Sequence, residues 1–285
     1  VFDDLVGSIQ HRGFLVSMVW LAPPSKRTTI SLQGNHRPQS NLKKWGRCQI
    51  TSRLIQIMTD KQHRIQALIR AIVAYLETHR SDAPGVDLTL DKLAAMDLSC
   101  RRQRDVPPQG TRHDQMLIQA IAGITEPKLL EIAKCLSAAK DDLVWREDNA
   151  QFYPPGADLG EGYIKCNLHS LLIGADACGH HHPDFSLGIF MLGPRTLYRD
   201  HNHDAPELYL NLSERSGWRF RSGEWQDYAA GSLIWNAAGE PHATRVYDLP
   251  FISVFVWLEN VSSRCNVIPF NDWAEIEQGL AQKSI

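Results

Sequence analysis

Apolar residues first settle into a regular rhythm between Thr59 and about His79. There Ile65, Leu68, Ile69, Ile72 and Leu76 recur at spacings of three and four, which predicts a helix with one buried face. Pro84-Gly85 ends it. A shorter helix is expected from Leu88 to Met96, Arg101–Gly110 with Pro107-Pro108 reads as a loop, and two helices follow at about Asp114–Ile124 and Pro127–Ala139. Pro127 suits a first helical turn, where its missing N–H costs little. Upstream, residues 1–57 lack a sustained period and are basic, with Arg12, Lys26, Arg27, Arg37, Lys43, Lys44, Arg47 and Arg53 against Asp3 and Asp4. That segment is expected to be a poorly ordered extension. Met58, directly before the first helix, is a candidate for the true start.

After Trp145 the pattern changes to short β-rich runs separated by Gly, Pro, Asn and Asp, as in a sandwich or barrel. The expected strands are Tyr163–Leu172, Phe185–Leu192, Glu207–Leu212, Trp218–Arg221, Ser232–Trp235, Ala243–Tyr247 and Phe251–Leu258, with Ser222-Gly223 closing a hairpin. Alternation in the last strand puts Ile252, Val254, Val256 and Leu258 on one face and Phe251, Ser253, Phe255 and Trp257 on the other. Both faces are apolar enough to be covered, the first by helices and the second around an aromatic pocket. The fold class is therefore α+β, mainly β: a helical layer over residues 58–144 before a β-barrel domain over 145–285.

Composition narrows the partners. The chain has 285 residues, 43% of them hydrophobic, a formal net charge of -2 and a pI near 6.7. Such a balance gives no reason to expect nucleic acid or an anionic membrane, so a small molecule is the expected partner of a monomer or homodimer. Cys48, Cys100, Cys135, Cys166, Cys178 and Cys265 form no C-x-x-C pair, as expected for reduced thiols in a cytoplasm. No apolar run approaches the roughly 20 residues of a membrane span. Phe14–Ala22 is flanked by Asp3-Asp4 and Pro23-Pro24, which argues against a signal peptide.

The candidate chemistry is concentrated in Tyr198-Arg-Asp-His201-Asn-His203-Asp-Ala-Pro-Glu207-Leu-Tyr209. On an extended chain His201, His203, Glu207 and Tyr209 share one parity, and Leu208, Leu210 and Leu212 take the other. Gly231–Pro241 then leads to His242 and a third imidazole. Three His and a Glu form a mixed nitrogen and oxygen set suited to one divalent ion of Fe, Mn, Zn, Ni or Co. By contrast, His180-His181-His182 between Gly179 and Pro183 reads as a loop, with Asp184 capping or stapling it.

The H-x-H-x-x-x-E run followed by Pro241-His242 resembles the two motifs of the cupin superfamily, whose members hold a metal in a small double-stranded β-helix barrel. The longer pattern is similar to the cupin-type dimethylsulfoniopropionate (DMSP) lyases over roughly residues 150 to 260. It runs from Leu187-Gly-Ile-Phe-Met-Leu through Tyr198-x-x-His-x-His-x-Ala-Pro-Glu-Leu-Tyr209, then Gly217-x-x-Phe, Trp225, Gly231-x-Leu-Ile, Pro241-His242-Ala and Trp257. The resemblance implies metal ligation by His203, Glu207, Tyr209 and His242, with Tyr198 and His201 lining the pocket. It implies a carbon–sulfur lyase that cleaves DMSP to dimethyl sulfide and acrylate by β-elimination. Tyr209 is expected as the base ahead of Tyr198, and Trp257, Trp235 and Tyr198 would offer aromatic faces to the sulfonium. Tyr198 is out of parity with the ligands, so a bulge before His201 would have to re-aim it. An Fe(II) dioxygenase acting on another small acid and a non-catalytic sensor cupin are the competing expectations.

Overall fold

The computed structural model describes residues 42–282, with side chains from residue 60 onward. The chain divides into two units, Val1–Arg47 and Cys48–Ile285, and the second contains every strand and all the helices after the first. The first helix, α1 (Leu42–Glu77), begins well before Thr59. The expected extension over residues 1–57 is thus helical from Leu42, and the rest of it lies outside the described residues. Between Leu42 and Met58 there is one glycine and no proline, so nothing stops the helix propagating backward. The predicted face is the buried one: Ile65, Leu68, Ile69 and Ile72 are 0% exposed and Leu76 1%. The layer continues with α2 (Pro84–Ala94), α3 (Asp114–Ala122) and α4 (Leu130–Ala139), the last preceded by a single tighter turn at Pro127–Leu129.

A short helix, α5 (Glu161–Lys165), occupies the start of the expected strand Tyr163–Leu172. Gly160, at φ +77°, turns the chain into it. The β region then comprises β1 (Asn167–Gly174), β2 (His180–His181), β3 (Ser186–Leu192), β4 (Leu197–Asn202), β5 (Glu207–Asn211) and β6 (Arg215–Phe220). It continues with β7 (Gln226–Ala229), β8 (Leu233–Asn236), β9 (His242–Arg245), β10 (Phe251–Trp257) and β11 (Asn266–Val267), before α6 (Trp273–Ala281). The hairpin at Ser222-Gly223 joins β6 to β7, an expected turn leading to a strand that the sequence pattern did not reveal. The expected histidine loop is also corrected: His180 is buried, in β2 beside β1, with its Nε2 3.3 Å from Gln66 Oε1.

The strands form a six-stranded sheet, β2-β1-β3-β10-β5-β8, and a five-stranded sheet, β11-β4-β9-β6-β7. They pack face to face as a jelly roll, not hydrogen-bonded into a closed barrel. Alternation along the central strands sorts two cores. Leu187, Ile189 and Met191 of β3, Leu208 and Leu210 of β5, and Ile252, Val254 and Val256 of β10 join the residues of α1–α4 in an aliphatic cluster. Phe190, Tyr209 and Phe251 from the same strands meet Tyr198 and Trp218 of the other sheet, and Val246 just after β9, in an aromatic cluster between the sheets. No helix among the described residues is long and apolar enough to cross a membrane.

Candidate metal centre

The centre is assembled from β4, β5 and β9. In β4 the pairing with β9 runs Tyr198↔Thr244 and then jumps to His201↔His242, a register shift between Tyr198 and His201. This bulge brings both side chains inward, where their rings stack at 4.0 Å. The intervening Asp200 faces away, fully buried, accepting from Arg219 Nε at 3.0 Å and from Trp273 Nε1 at 2.7 Å. The strand is therefore pinned from behind by β6 and α6 at the residue beside His201.

His201, His203 and His242 are buried, and each can offer a ligand atom within 4.8 Å of the others. Their Nδ1 atoms lie 2.7, 2.8 and 3.0 Å from the carbonyl oxygens of Arg199, Ala205 and Glu240. A carbonyl can only accept, so each Nδ1 carries a proton and each Nε2 is the ring nitrogen left for a ligand. Nε2 of His242 is buried without any hydrogen-bond partner. Burial, together with the neighbouring His203, pushes His201 down to about 3. Burial, with His201 and His203 beside it, also lowers His242 well below its ordinary range. Neutral imidazoles with free Nε2 lone pairs facing one another are what a divalent ion requires.

Glu207, at the start of β5, places Oε2 3.3 Å from His203 Nε2 and 3.6 Å from His242 Nε2. Asn236 Nδ2 donates to the same oxygen at 2.9 Å, and Trp257 Nε1 donates to Oε1 at 2.7 Å. Burial would raise this carboxyl, but donation from Asn236 and the imidazoles of His203 and His242 beside it hold it below the usual range. The donor set therefore fits a divalent metal: three imidazole nitrogens and a carboxylate, with the backbone, Asn236 and Trp257 orienting them.

A cavity of about 140 Å³ adjoins these residues, walled by Tyr153, Phe190, Tyr198, Tyr209, Phe255 and Trp257. Gly188 makes room for that wall, because a side chain there would collide with the Phe255 ring. Tyr209 lies on the inner face beside Glu207, and burial followed by that carboxylate raises its phenol well above the ordinary range. Burial and Tyr153 raise Tyr198 in the same way, and its hydroxyl is 2.5 Å from that of Tyr153.

Against the sequence-based expectations, the structure gathers Tyr198, His201, His203, Glu207, Tyr209, His242 and Trp257 together. It differs on one further residue. Trp235 does not line the cavity; it pairs with Leu208 on the outer face of β8 and packs against Gly85 of α2. His201, expected to line the pocket and to be a possible ligand, lines the cavity and sits within the group of mutually close imidazoles. Tyr153, Tyr163, Asp148, Asn236 and Cys265 also belong to the surroundings of the site and were not foreseen. Alternation along β8 puts Asn236 opposite in sense to Trp235, but only the register with Glu207 shows which of them points inward.

A family model described as dimethylsulfoniopropionate lyase matches residues 90–253, more than half of the chain. This chain belongs to the dimethylsulfoniopropionate lyase family. Within that family, dimethylsulfoniopropionate lyase DddQ of Ruegeria pomeroyi is 32% identical over 60 residues, a match spanning 21% of this chain and 30% of that protein. The fold is shared with a solved structure described under DMSP lyases RdDddP and RnDddQII, at TM-score 0.57 and 17% identity over 73% of this chain and 100% of the other. It is also shared with the crystal structure of DMSP lyase DddQ from Ruegeria pomeroyi DSS-3, at TM-score 0.53 and 20% identity over 70% and 94%.

Proposed function

We propose that the protein cleaves dimethylsulfoniopropionate to dimethyl sulfide and acrylate by metal-assisted β-elimination. The observation that carries this reading is a set of three mutually close buried imidazoles, each with Nδ1 tied to a backbone carbonyl, and an oriented Glu207, opening onto an aromatic cavity in a chain of this family. His203, Glu207 and His242 hold the metal, with His201 adjacent and Tyr209 completing the set from beside Glu207. The bound ion would supply Lewis acidity toward the substrate carboxylate and favour the phenolate of a neighbouring tyrosine.

Tyr209 is the base that takes the proton α to the carboxylate. Its phenol, held protonated by burial and by Glu207, serves only when a cation offsets both. Tyr198 is the second candidate, but its hydroxyl is already engaged by Tyr153. Tyr198, Phe190, Phe255 and Trp257 present aromatic faces to the sulfonium, each contributing about 0.5–2 kcal/mol. Trp235 has no part in this.

The test is headspace dimethyl sulfide from purified, metal-loaded protein given DMSP. Release above the buffer control is expected, persisting without oxygen; no release would overturn the lyase reading, and oxygen-dependent turnover would favour a dioxygenase. Tyr209→Phe is expected to fold normally and to cut turnover at least about a hundredfold, in line with loss of a general base. A near-normal rate would exclude it as base.

A further inference from the structure

Between Tyr198 and His201, β4 carries one residue more than β9 opposite it, because Tyr198 faces Thr244 while His201 faces His242. In a strand of unbroken alternation Tyr198 and Asp200 would share the inner face, and His201 would turn outward. The extra residue turns both Tyr198 and His201 inward. Whatever holds the bulge therefore keeps the His201 imidazole beside His203 and His242.

The two residues inside the bulge are Arg199 and Asp200, and both are gripped from outside by α6 and its approach. Arg199 donates from Nε and Nη2 to Oε1 and Oε2 of Glu277 at 2.9 and 3.0 Å, and its guanidinium lies 4.8 Å from the centre of the Trp273 ring. Asp200 Oδ2 accepts from Trp273 Nε1 at 2.7 Å and from Arg219 Nη2 at 2.5 Å. Arg219 is itself paired with Asp272, the residue that opens α6. Ile268, in the segment leading to that helix, donates its N–H to the Asp200 carbonyl at 2.7 Å. The Arg199 carbonyl is the acceptor for His201 Nδ1 at 2.7 Å. The grip on the bulge thus reaches the imidazole through a single backbone group.

This helix does little for the core. None of its residues is fully buried, and a cleft of about 460 Å³, lined by Ile276 and Leu280 of α6 and by Trp225 and Arg245, lies beside it. Its strong contacts are concentrated on β4 and on Arg219.

We propose that α6 is a clamp for the metal centre, with Trp273 and Glu277 as positioning residues that hold the β4 bulge and so keep His201 turned toward the ion. This rests on reading the three imidazoles as a metal centre, and it assigns a role to a helix outside the site. Trp273→Phe tests it by removing the donor to Asp200 while keeping an aromatic ring under Arg199. Glu277→Gln is the milder second variant, at a partly exposed side chain. Asp200 and Arg219 are left intact, since removing one strands the other as a buried, unpaired charge.

The measurement is Co(II) affinity by chelator competition, with the visible absorption of the bound ion as a report on its coordination. Trp273→Phe is expected to weaken binding at least about tenfold and to shift the absorption, and Glu277→Gln to weaken it roughly threefold. Because the clamp acts through His201, Trp273→Phe added to His201→Ala should cost no further affinity, whereas independent effects would multiply. Affinities within twofold of the unmodified protein would overturn the clamp, even if the urea midpoint of the metal-free variants fell. A loss that multiplies with that of His201→Ala would overturn it too. Unchanged affinity in His201→Ala itself would remove the clamp while leaving His203, Glu207 and His242 as the metal site. Absence of stoichiometric Co(II) binding by the unmodified protein would overturn the metal centre and the clamp together.

Discussion

The two sides of the six-stranded sheet are made by the same strands and do opposite things. On β5, Leu208 and Leu210 face the helices while Glu207 and Tyr209 face the other sheet. On β10, Ile252, Val254 and Val256 join the aliphatic core, and Phe251, Phe255 and Trp257 join the aromatic one. The outer side is closed by α1–α4 and stabilises the fold by apolar burial. The inner side carries a carboxylate and phenols and faces the imidazoles of the other sheet, groups whose burial is costly without partners, and it leaves a cavity. Strand alternation therefore separates folding from chemistry at a distance of one residue.

That separation can be broken most strongly at adjacent positions of β5. Leu210→Ala empties a buried site in the aliphatic cluster and is expected to cost about 2–5 kcal/mol in urea unfolding, while metal stoichiometry is kept. Loss of bound metal in the folded Leu210→Ala protein would show that the two sides are not independent. Next come the two tryptophans on opposite faces. Trp257→Phe removes the hydrogen bond to Glu207 Oε1 and is expected to weaken metal binding roughly 10–100-fold in chelator competition. Trp235→Phe, on the outer face against Gly85, is expected to leave that affinity within about twofold, because it touches no ligand and none of the groups that orient one. Equal effects from the two would erase the distinction.

The smallest expected effect is on pH dependence, at a histidine of the inner side. Burial, followed by the charge of Arg146, lowers His169 at the cavity from 6.5 to about 4. Below about pH 6.5 the unfolded chain protonates this imidazole and the folded chain does not. The unfolded state then binds more protons, so this contribution is present above the unfolded value and is lost as pH falls from 6.5 towards 4. In metal-free protein His169 should account for at most about 1 kcal/mol per pH unit across that window, after allowing for partial exposure. Urea midpoints at pH 7 and pH 5 measure it, and His169→Gln should flatten the difference. An unchanged slope would remove His169 as its source.

Much of the fold was readable along the chain because its signals are local. Ile65 to Leu76 carried the helical period, β10 carried the alternation, and Pro127 marked the turn before α4. Short elements were harder to see. β2, β7, β11 and α5 are two to five residues long, too brief for a period to register, and they exist through pairing or through a turn such as that at Gly160. The ligand run was legible because five chemically distinctive residues lie within a dozen positions. Tyr153, Tyr163 and Asp148 were not, since they come from a loop and a one-turn helix whose sequence resembles any other surface connection.

Residue chemistry and its spacing, by themselves, determined that His201, His203, Glu207, Tyr209 and His242 could converge on one face, and they pointed to a family. Only the tertiary structure decided which face each strand turns inward, because alternation yields two faces and leaves their assignment to pairing and packing. The register of β5 with β8 turned Asn236 inward and Trp235 outward. The bulge in β4 brought Tyr198 and His201 to the same side. Backbone carbonyls fixed the tautomers that free the Nε2 atoms, and those carbonyls are placed by the fold, not by the identity of the residues that carry them.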